Sequence, residues 1–434
     1  MGKKSGLAPH ALAALGGSGR RLTRGRLLTF LLAGFGVGLT LGFIFMGTMH
    51  AFIEIGAKTH HGQKQAGVET AAAAQQQQQQ QQQEVKSEAK ADKSGGAGGW
   101  PTKGDTVHIA YTSNGSPYTN FQNLIMYGTY QLAKKQPGGE KMVAFTRILH
   151  RTTDDALSTK LDTFRANPLH PECDGWCDYP VADRPNAVRQ YLQAAKADPS
   201  LIKAPWLYMI ETDFVFVKPI QAPLAESSGR SVAFPYGYIQ PTYPTIEGVM
   251  RKLYPAELGP LTDVPNTGCS PTLLRIDEWQ RVTPVWESIT AKIEGDEEIK
   301  KALEWVREMY AFSVACALEK IPLDLKEPPE SITMIQPPAD HRLGKAHLMH
   351  YTWGSVFNAP NGTKVWEFDK RYYTEPKHEK TLPKLPVPPP FEEGWKLQDG
   401  VAITKDLYDT LVLMINTMNA GIDLVKAQGL LEES

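Results

Sequence analysis

The stretch YMIETDFVFVKPI, residues 208–220, places two carboxylates inside a run of apolar, β-favouring side chains. A buried carboxylate is unfavourable unless it is paired or bound to a cation. As one strand over 208–217, the run directs Glu211 and Asp213 to the same face, because strand side chains alternate with a period of two. Hard divalent cations prefer oxygen ligands, so the pair predicts a cation site. Two acids that face water at a strand end are the alternative.

The segments on both sides of this stretch alternate between strand and helix patterns. Strands are predicted over 106–113, 142–149 and 231–239, and helices over 121–135, 185–197, 276–293 and 297–320. The last of these has the strongest amphipathic pattern in the chain. Strands that alternate with helices predict an α/β domain with a mainly parallel, Rossmann-like sheet, in which ligands bind beyond the carboxyl ends of strands.

The N-terminal region has a different composition. Residues 27–49 carry no charge and are long enough to span a bilayer as a helix, while residues 1–26 are basic and the first acid is Glu54. This asymmetry predicts a cytosolic tail over 1–26 and a transmembrane signal anchor over 27–49. A cleaved signal or transit peptide is the alternative. Glycines at every fourth position of the span fit either a homodimer contact or the general abundance of glycine in membrane helices.

The remaining chain divides into three parts. Residues 50–100 are rich in Gln, Ala and Gly and predict a disordered stem. Residues 101–375 have the composition of one globular domain, and 376–434 predict a proline-rich spacer followed by a helix over 406–427 that packs on the domain. A partner-binding role for that helix is the alternative. The net charge of −1 for 434 residues gives no reason to expect a nucleic-acid partner.

Two later stretches add candidate positions. PNTGCSPTLLRIDEW, residues 265–279, reads as a glycine turn, a short strand and the start of a helix. HLMHYTWGSVFN, residues 347–358, reads as a strand that leads into a loop. Its His350 supplies a metal nitrogen if the fold brings it beside Asp213, and a structural hydrogen bond is the alternative.

Taken together and in order, these stretches resemble the plant and algal hydroxyproline O-arabinosyltransferases, which are GT-A-type glycosyltransferases. The resemblance spans roughly residues 106–375. It is carried by the following stretches: SPYTNFQNLIMYGTY (116–130), PGGEKMVAFTRILH (137–150), ETDFVFVKPI (211–220), AFPYGYIQP (233–241), TGCSPTLL (267–274), EWVREMYAFSVACAL (304–318), MIQPP (334–338), HYTWG (350–354) and WEFDKRYY (366–373).

The resemblance implies transfer of arabinofuranose from a UDP donor to the hydroxyl of hydroxyproline in a peptide or glycoprotein acceptor. It implies retention of anomeric configuration and a divalent cation, with Mn²⁺ the first choice. Glu211, Asp213 and His350 are the implied metal ligands, and Glu211, Asp213 and Asp263 are the implied catalytic candidates. The implied donor-binding residues are Thr112, Tyr118, Arg147, Arg184, Trp353, Gly354 and Lys370. Core packing for Tyr118, a core ion pair for Arg147 and a solvated surface for Lys370 and Arg371 are the alternatives.

The chain also departs from the family pattern. The acidic motif, usually Glu-Pro-Asp-His, reads Glu-Thr-Asp-Phe here and ends in Phe214, and Cys269 replaces the usual Asn. Cys173 and Cys177 lie in a segment without a clear family counterpart. A disulfide in an oxidising lumen, free thiols and metal-bound thiols are the alternatives for these two cysteines.

Three functions are compatible with the motifs. The first is a Golgi or ER type II enzyme with a luminal catalytic domain that arabinosylates hydroxyproline. The second is a peptidyl-serine galactosyltransferase. The third is a non-catalytic relative that binds a sugar nucleotide or a peptide.

Overall fold

The computed structural model describes residues 99–175, 177–223, 230–352 and 354–431. The predicted cytosolic tail, signal anchor and nearly all of the stem lie outside these residues. Within the described part, no helix is both long and apolar enough to cross a bilayer.

The described elements alternate between strands and helices. The strands are β1 Val107–Ser113, β2 Met142–His150, β3 Thr163–Ala166, β4 Trp206–Ile210, β5 Phe214–Phe216, β6 Ser231–Ala233, β7 Thr272–Arg275, β8 Leu323–Leu325, β9 Met334–Ile335, β10 Leu348–His350, β11 Ser355–Asn358 and β12 Lys364–Phe368. The helices are α1 Pro117–Lys134, α2 Arg184–Ala197, α3 Glu247–Leu253, α4 Ile276–Glu294, α5 Glu297–Leu303, α6 Arg307–Leu318, α7 Pro376–Thr381 and α8 Lys405–Ala427.

A seven-stranded sheet in the order β3-β2-β1-β4-β7-β6-β8 forms the centre. Strand β1 pairs in parallel with β2 and β4, β2 with β3, and β6 with β8, while β7 runs antiparallel to both of its neighbours. All seven residues of β1 are buried, as expected for a strand covered on both faces. The predicted α/β architecture with a mainly parallel sheet is confirmed.

The prediction of one continuous strand over 208–217 is wrong. Strand β4 ends at Ile210, and β5 begins at Phe214 in a separate sheet of order β5-β10-β9. Glu211 and Asp213 therefore lie in the turn between two strands of different sheets. The strand changes sheets because β5 pairs antiparallel with β10, with Phe214 opposite His350, and such distant pairing leaves no local sequence signal.

Two further elements differ from their predictions. Strand β6 stops at Ala233, well short of 239, and the chain turns there with the Tyr236 amide donating to the Asn266 carbonyl at 2.7 Å. The helix predicted over 297–320 is divided into α5 and α6 by a turn that starts at Glu304, where φ is 48°. Most of α6 is buried, because it packs along α4, and it does not present one apolar face and one polar face.

The C-terminal helix forms very nearly where the sequence predicts it, as α8, and packs against α1. The two helices approach most closely at Gly128 and Gly421. A Cβ atom on Gly128 would lie 2.3 Å from the carbonyl oxygen of Gly421, so the crossing requires a residue without a side chain. Around this crossing lies a second hydrophobic cluster, which includes Phe121, Met414 and Met418.

Replacing Gly128 with alanine is expected to force the two helices apart. We expect Gly128→Ala to lower the free energy of unfolding by about 1–3 kcal/mol, the usual effect of overpacking, even though alanine favours a helix. Urea unfolding followed by circular dichroism measures this change. Gly248→Ala in α3 is the matched control, since its Cβ would meet nothing within 4 Å and should leave stability unchanged or slightly higher. Equal stability of the two variants would contradict the tight crossing.

Candidate active site

Three side chains meet at the turn between β4 and β5. Glu211 follows β4, Asp213 precedes β5, and His350 is the last residue of β10. One potential ligand atom from each of the three lies within 4.8 Å of the other two. Because β5 and β10 are antiparallel neighbours, the end of β10 is held beside Asp213. The geometry brings together the three residues that the resemblance implied as metal ligands.

Asp213 is the buried centre of this cluster. Its Oδ2 lies 3.1 Å from Nε2 of His350 and also accepts from the ammonium group of Lys370. Its Oδ1 has no hydrogen-bond partner among the described residues. Burial alone would raise the pKa of the Asp213 carboxyl, but His350 and Lys370 together hold that pKa well below its usual range. Asp213 is therefore ionised, with one oxygen free for a ligand.

The orientation of His350 is fixed from two sides. The ring of Phe214 stacks on the imidazole with centroids 4.6 Å apart and an interplanar angle of 15°. Nδ1 of His350 lies 2.9 Å from the hydroxyl of Thr352. When that hydroxyl donates to Nδ1, Nε2 carries the proton and donates to Asp213, whereas a cation at Nε2 requires the opposite tautomer. Sequence reasoning identified Phe214 as a departure from the family but missed this orienting contact.

A short turn presents Lys370 to the cluster. Asp369 caps the turn Lys370–Tyr372 by accepting from the amide of Arg371 at 2.8 Å. A Cβ on Gly354 would lie 2.6 Å from Oδ2 of Asp369, so Gly354 makes room for the capping carboxylate. The donor contact predicted for Gly354 stays a prediction, and Trp353 lies outside the described residues. Lys370 is buried against Asp213, whereas Arg371 lies at the exposed surface, so the solvated-surface alternative fits only Arg371.

Arg184 connects the cluster to the interior. Its Nη1 lies 2.7 Å from Oε1 of Glu211 and 3.2 Å from Oε2 of Glu308. Burial alone would lower the pKa of the Arg184 guanidinium, but the two carboxylates raise that pKa above its ordinary value. Arg184 was predicted to bind the donor, and here it holds Glu211. Glu308 was missed by sequence reasoning, although an acid at the start of the apolar stretch EMYAFSVACAL was an available signal.

The remaining predicted donor residues differ in their surroundings. Arg147 is fully buried and holds Asp155 through two hydrogen bonds of 2.7 and 2.5 Å, which is the core ion pair considered as its alternative. Thr112 is buried near the end of β1. Tyr118 lies in the first turn of α1. Burial raises the pKa of its hydroxyl, and the positive charge of Lys370 lowers it, so the Tyr118 side chain lies near Lys370 and the cluster.

Asp263 is not part of this cluster. It is exposed and lines an open cleft of about 1010 Å³ together with Gln240 and Asn266.

The cysteines of the segment without a family counterpart, Cys173 and Cys177, are joined by a disulfide, which is the first of the three alternatives considered for them.

The comparisons with known proteins decide the family. The model of the "Hydroxyproline O-arabinosyltransferase family N-terminal domain" matches residues 107–325, half of the chain. The chain belongs to the hydroxyproline O-arabinosyltransferase family.

Individual family members agree with this assignment. The chain is 36% identical over 288 residues to hydroxyproline O-arabinosyltransferase NOD3 of Pisum sativum, covering 65% of this chain and 81% of that relative. It is 34% identical over 311 residues to hydroxyproline O-arabinosyltransferase 3 of Arabidopsis thaliana, covering 70% and 82%.

Solved structures are more distant. A glycosyltransferase involved in glycosylation of the major capsid of PBCV-1 is 11% identical and covers 57% of this chain and 93% of its own, with a TM-score of 0.30. The WbbM bifunctional glycosyltransferase is 7% identical and covers 58% of this chain and 46% of its own, with a TM-score of 0.32. Both scores are too low to establish a shared fold.

The cluster has a donor set that suits a divalent cation. Two carboxylates and an imidazole are common ligands of such cations. Asp213 contributes an oxygen that lacks any hydrogen-bond partner among the described residues. The residues present therefore fit a bound cation, with Lys370 as a competing positive charge at the other oxygen of Asp213.

Glu308 makes stability depend on pH. Burial raises the pKa of its carboxyl from 4.5 to about 7, although Arg184 opposes the shift. Because the folded pKa lies above the unfolded one, the contribution of this group to stability is complete below 4.5 and is lost as pH rises through about 7. Glu308→Gln removes this dependence.

We expect the free energy of unfolding of the wild type to fall relative to Glu308→Gln by about 3 kcal/mol between about pH 4.5 and about pH 8. Urea unfolding of both proteins at the two pH values measures the difference. The variant Glu393→Gln, at an exposed position, is the matched control. A constant difference between wild type and Glu308→Gln would show that Glu308 has an ordinary pKa in the folded protein.

Proposed function

We propose that this chain transfers L-arabinofuranose from UDP-arabinofuranose to the hydroxyl of peptidyl hydroxyproline. The similarity to the pea relative, 36% identity over 81% of its length, carries the proposal. The cluster of Glu211, Asp213 and His350 supports it, because sugar transfer from a nucleotide diphosphate requires stabilisation of a negatively charged leaving group.

We propose Glu211, Asp213 and His350 as the residues that hold a divalent cation, with Mn²⁺ the first choice. A bound cation would neutralise the negative charge that grows on the diphosphate as the sugar leaves. Arg184 keeps Glu211 in place through the 2.7 Å contact, and Phe214 and Thr352 orient His350. These contacts preorganise the ligands before the donor arrives.

Lys370 is proposed to contact the diphosphate. Its ammonium group lies at Asp213, so it would share that carboxylate with a bound cation and would be available to a nearby anion. Tyr118 lies beside Lys370 and is positioned to contact the nucleotide from the first turn of α1. Asp263 is proposed to contact the acceptor, in the cleft that it lines.

Retention of anomeric configuration is part of the proposal, as are a transmembrane anchor over 27–49 and a luminal domain in the Golgi or ER. The Cys173–Cys177 disulfide supports an oxidising compartment for this domain.

Transfer by the purified full-length chain tests the proposed function. The assay contains Mn²⁺, a hydroxyproline-rich peptide and either UDP-arabinofuranose or UDP-galactose, with a serine-containing peptide as second acceptor. We expect pentose on hydroxyproline, detected by mass spectrometry, and loss of transfer when EDTA is added. Galactose on serine would support the galactosyltransferase alternative, and UDP binding without transfer would support a non-catalytic role.

Asp213→Asn is expected to lower transfer by about 100-fold or more, because the variant loses the charge that holds the cation and Lys370. Far-ultraviolet circular dichroism is expected to show an intact fold. Asp409→Asn, an exposed acid on α8, is the matched control and should retain full activity. Full activity of Asp213→Asn would remove Asp213 from the cation site.

A further inference from the structure

Trp305 is exposed at the turn that divides α5 from α6. Its side chain is 63% exposed, the largest exposure among the large apolar residues of the described part. The sequence pattern of one helix over 297–320 would have continued through this residue, but the chain breaks at Glu304, where φ is positive. A positive φ at a residue other than glycine is a strained conformation that clusters at functional sites, and here it directly precedes an exposed aromatic ring.

The backbone that carries Trp305 is tied to Tyr179. The hydroxyl of Tyr179 donates to the carbonyl of Trp305 at 2.9 Å and accepts from the amide of Glu308 at 3.1 Å. The two rings meet edge to face with centroids 5.2 Å apart and an interplanar angle of 86°. The guanidinium of Arg307 lies 3.3 Å from the centroid of Tyr179 and fixes that ring. Trp305 is therefore a braced platform.

The same contacts lead directly to the candidate active site. Glu308, whose amide holds Tyr179, binds Arg184 at 3.2 Å, and Arg184 binds Glu211 at 2.7 Å. A short series of direct contacts thus connects the exposed indole to the cation cluster. Because each contact is short, Trp305 and the cluster belong to the same region of the domain.

We propose that Trp305, braced by Tyr179, is a docking platform for the hydroxyproline-rich acceptor chain. Nothing in the family match assigns a role to this residue. The inference rests on the proposed function, since it takes its occupant from the acceptor of that reaction.

The chemistry of the acceptor favours this occupant. A run of hydroxyproline adopts the extended polyproline II helix, which has three residues per turn and no internal hydrogen bonds. Proteins bind such segments with exposed aromatic rings, because the flat ring packs against pyrrolidine rings and the stiff segment loses little entropy on binding. A braced indole that is linked to the candidate active site through Tyr179, Glu308 and Arg184 fits this mode without requiring a deep pocket.

Steady-state kinetics of the full-length chain test the platform. The probes are a synthetic peptide with an uninterrupted hydroxyproline run and UDP-arabinofuranose. We expect Trp305→Ala to raise the KM for the peptide by about three- to tenfold, the range for loss of one aromatic contact, while kcat and the KM for the donor change little. Trp305→Phe should recover most of the affinity because it keeps a flat ring.

Leu413→Ala is the matched control, since it removes an exposed apolar side chain from the C-terminal helix α8. A peptide KM for Trp305→Ala that equals that of Leu413→Ala would overturn the proposal. So would a change confined to the KM for the donor, which would place Trp305 at the nucleotide side.

Direct binding separates this proposal from the proposed function. Isothermal titration of the peptide into wild type and Trp305→Ala measures acceptor affinity without any transfer. Failure of wild type to transfer arabinose would defeat the proposed function, and weaker peptide binding by Trp305→Ala would then still support the platform. Equal binding by both proteins, or no binding by either, would defeat the platform.

Discussion

The buried carboxylate of Asp213 is the constraint on which the site depends. An ionised carboxylate inside a protein requires compensating charge or hydrogen bonds, and removal of one partner of a buried pair commonly costs 3–5 kcal/mol. The compensation here comes from His350 and Lys370, which lie far along the chain from Asp213. The pairing of β5 with β10 brings His350 to Asp213, and the capped turn Lys370–Tyr372 brings Lys370 there. Three distant segments of the chain therefore meet at one charged residue.

The charge balance around this centre depends on Glu308, whose pKa of about 7 leaves it partly protonated near neutral pH. With Glu308 ionised and His350 neutral, three carboxylates face the two positive charges of Arg184 and Lys370, which leaves one negative charge. With Glu308 protonated the charges balance, so a bound divalent cation would make the site positive toward a diphosphate in either state. The raised pKa of Glu308 is a consequence of the same crowding, since burial and the nearby Glu211 both disfavour a further ionised acid.

The two departures from the usual family motif fit into this arrangement without removing a charge from it. Phe214 stacks on His350 and so orients a ring that lies beside Asp213. Cys269 lies buried close to Arg184 and Glu308, and burial raises the pKa of its thiol, which keeps it uncharged. Neither residue competes with the carboxylates for a cation, and both add packing around the ionised groups.

The sequence by itself determined the alternation of strands and helices, the mainly parallel sheet, the C-terminal helix and the choice of Glu211, Asp213 and His350 as candidates. These follow from local periodicity and from motifs that a short window contains. The tertiary structure alone decided that β4 ends before the acids, that Arg147 is a core residue, and that Arg184 binds Glu211 and Glu308. It also decided that Trp305 is exposed at a break in a helical pattern. The end of β4, the contacts of Arg184 and the contact of Trp305 with Tyr179 depend on partners that are distant in the chain, and local propensity carries no information about such partners.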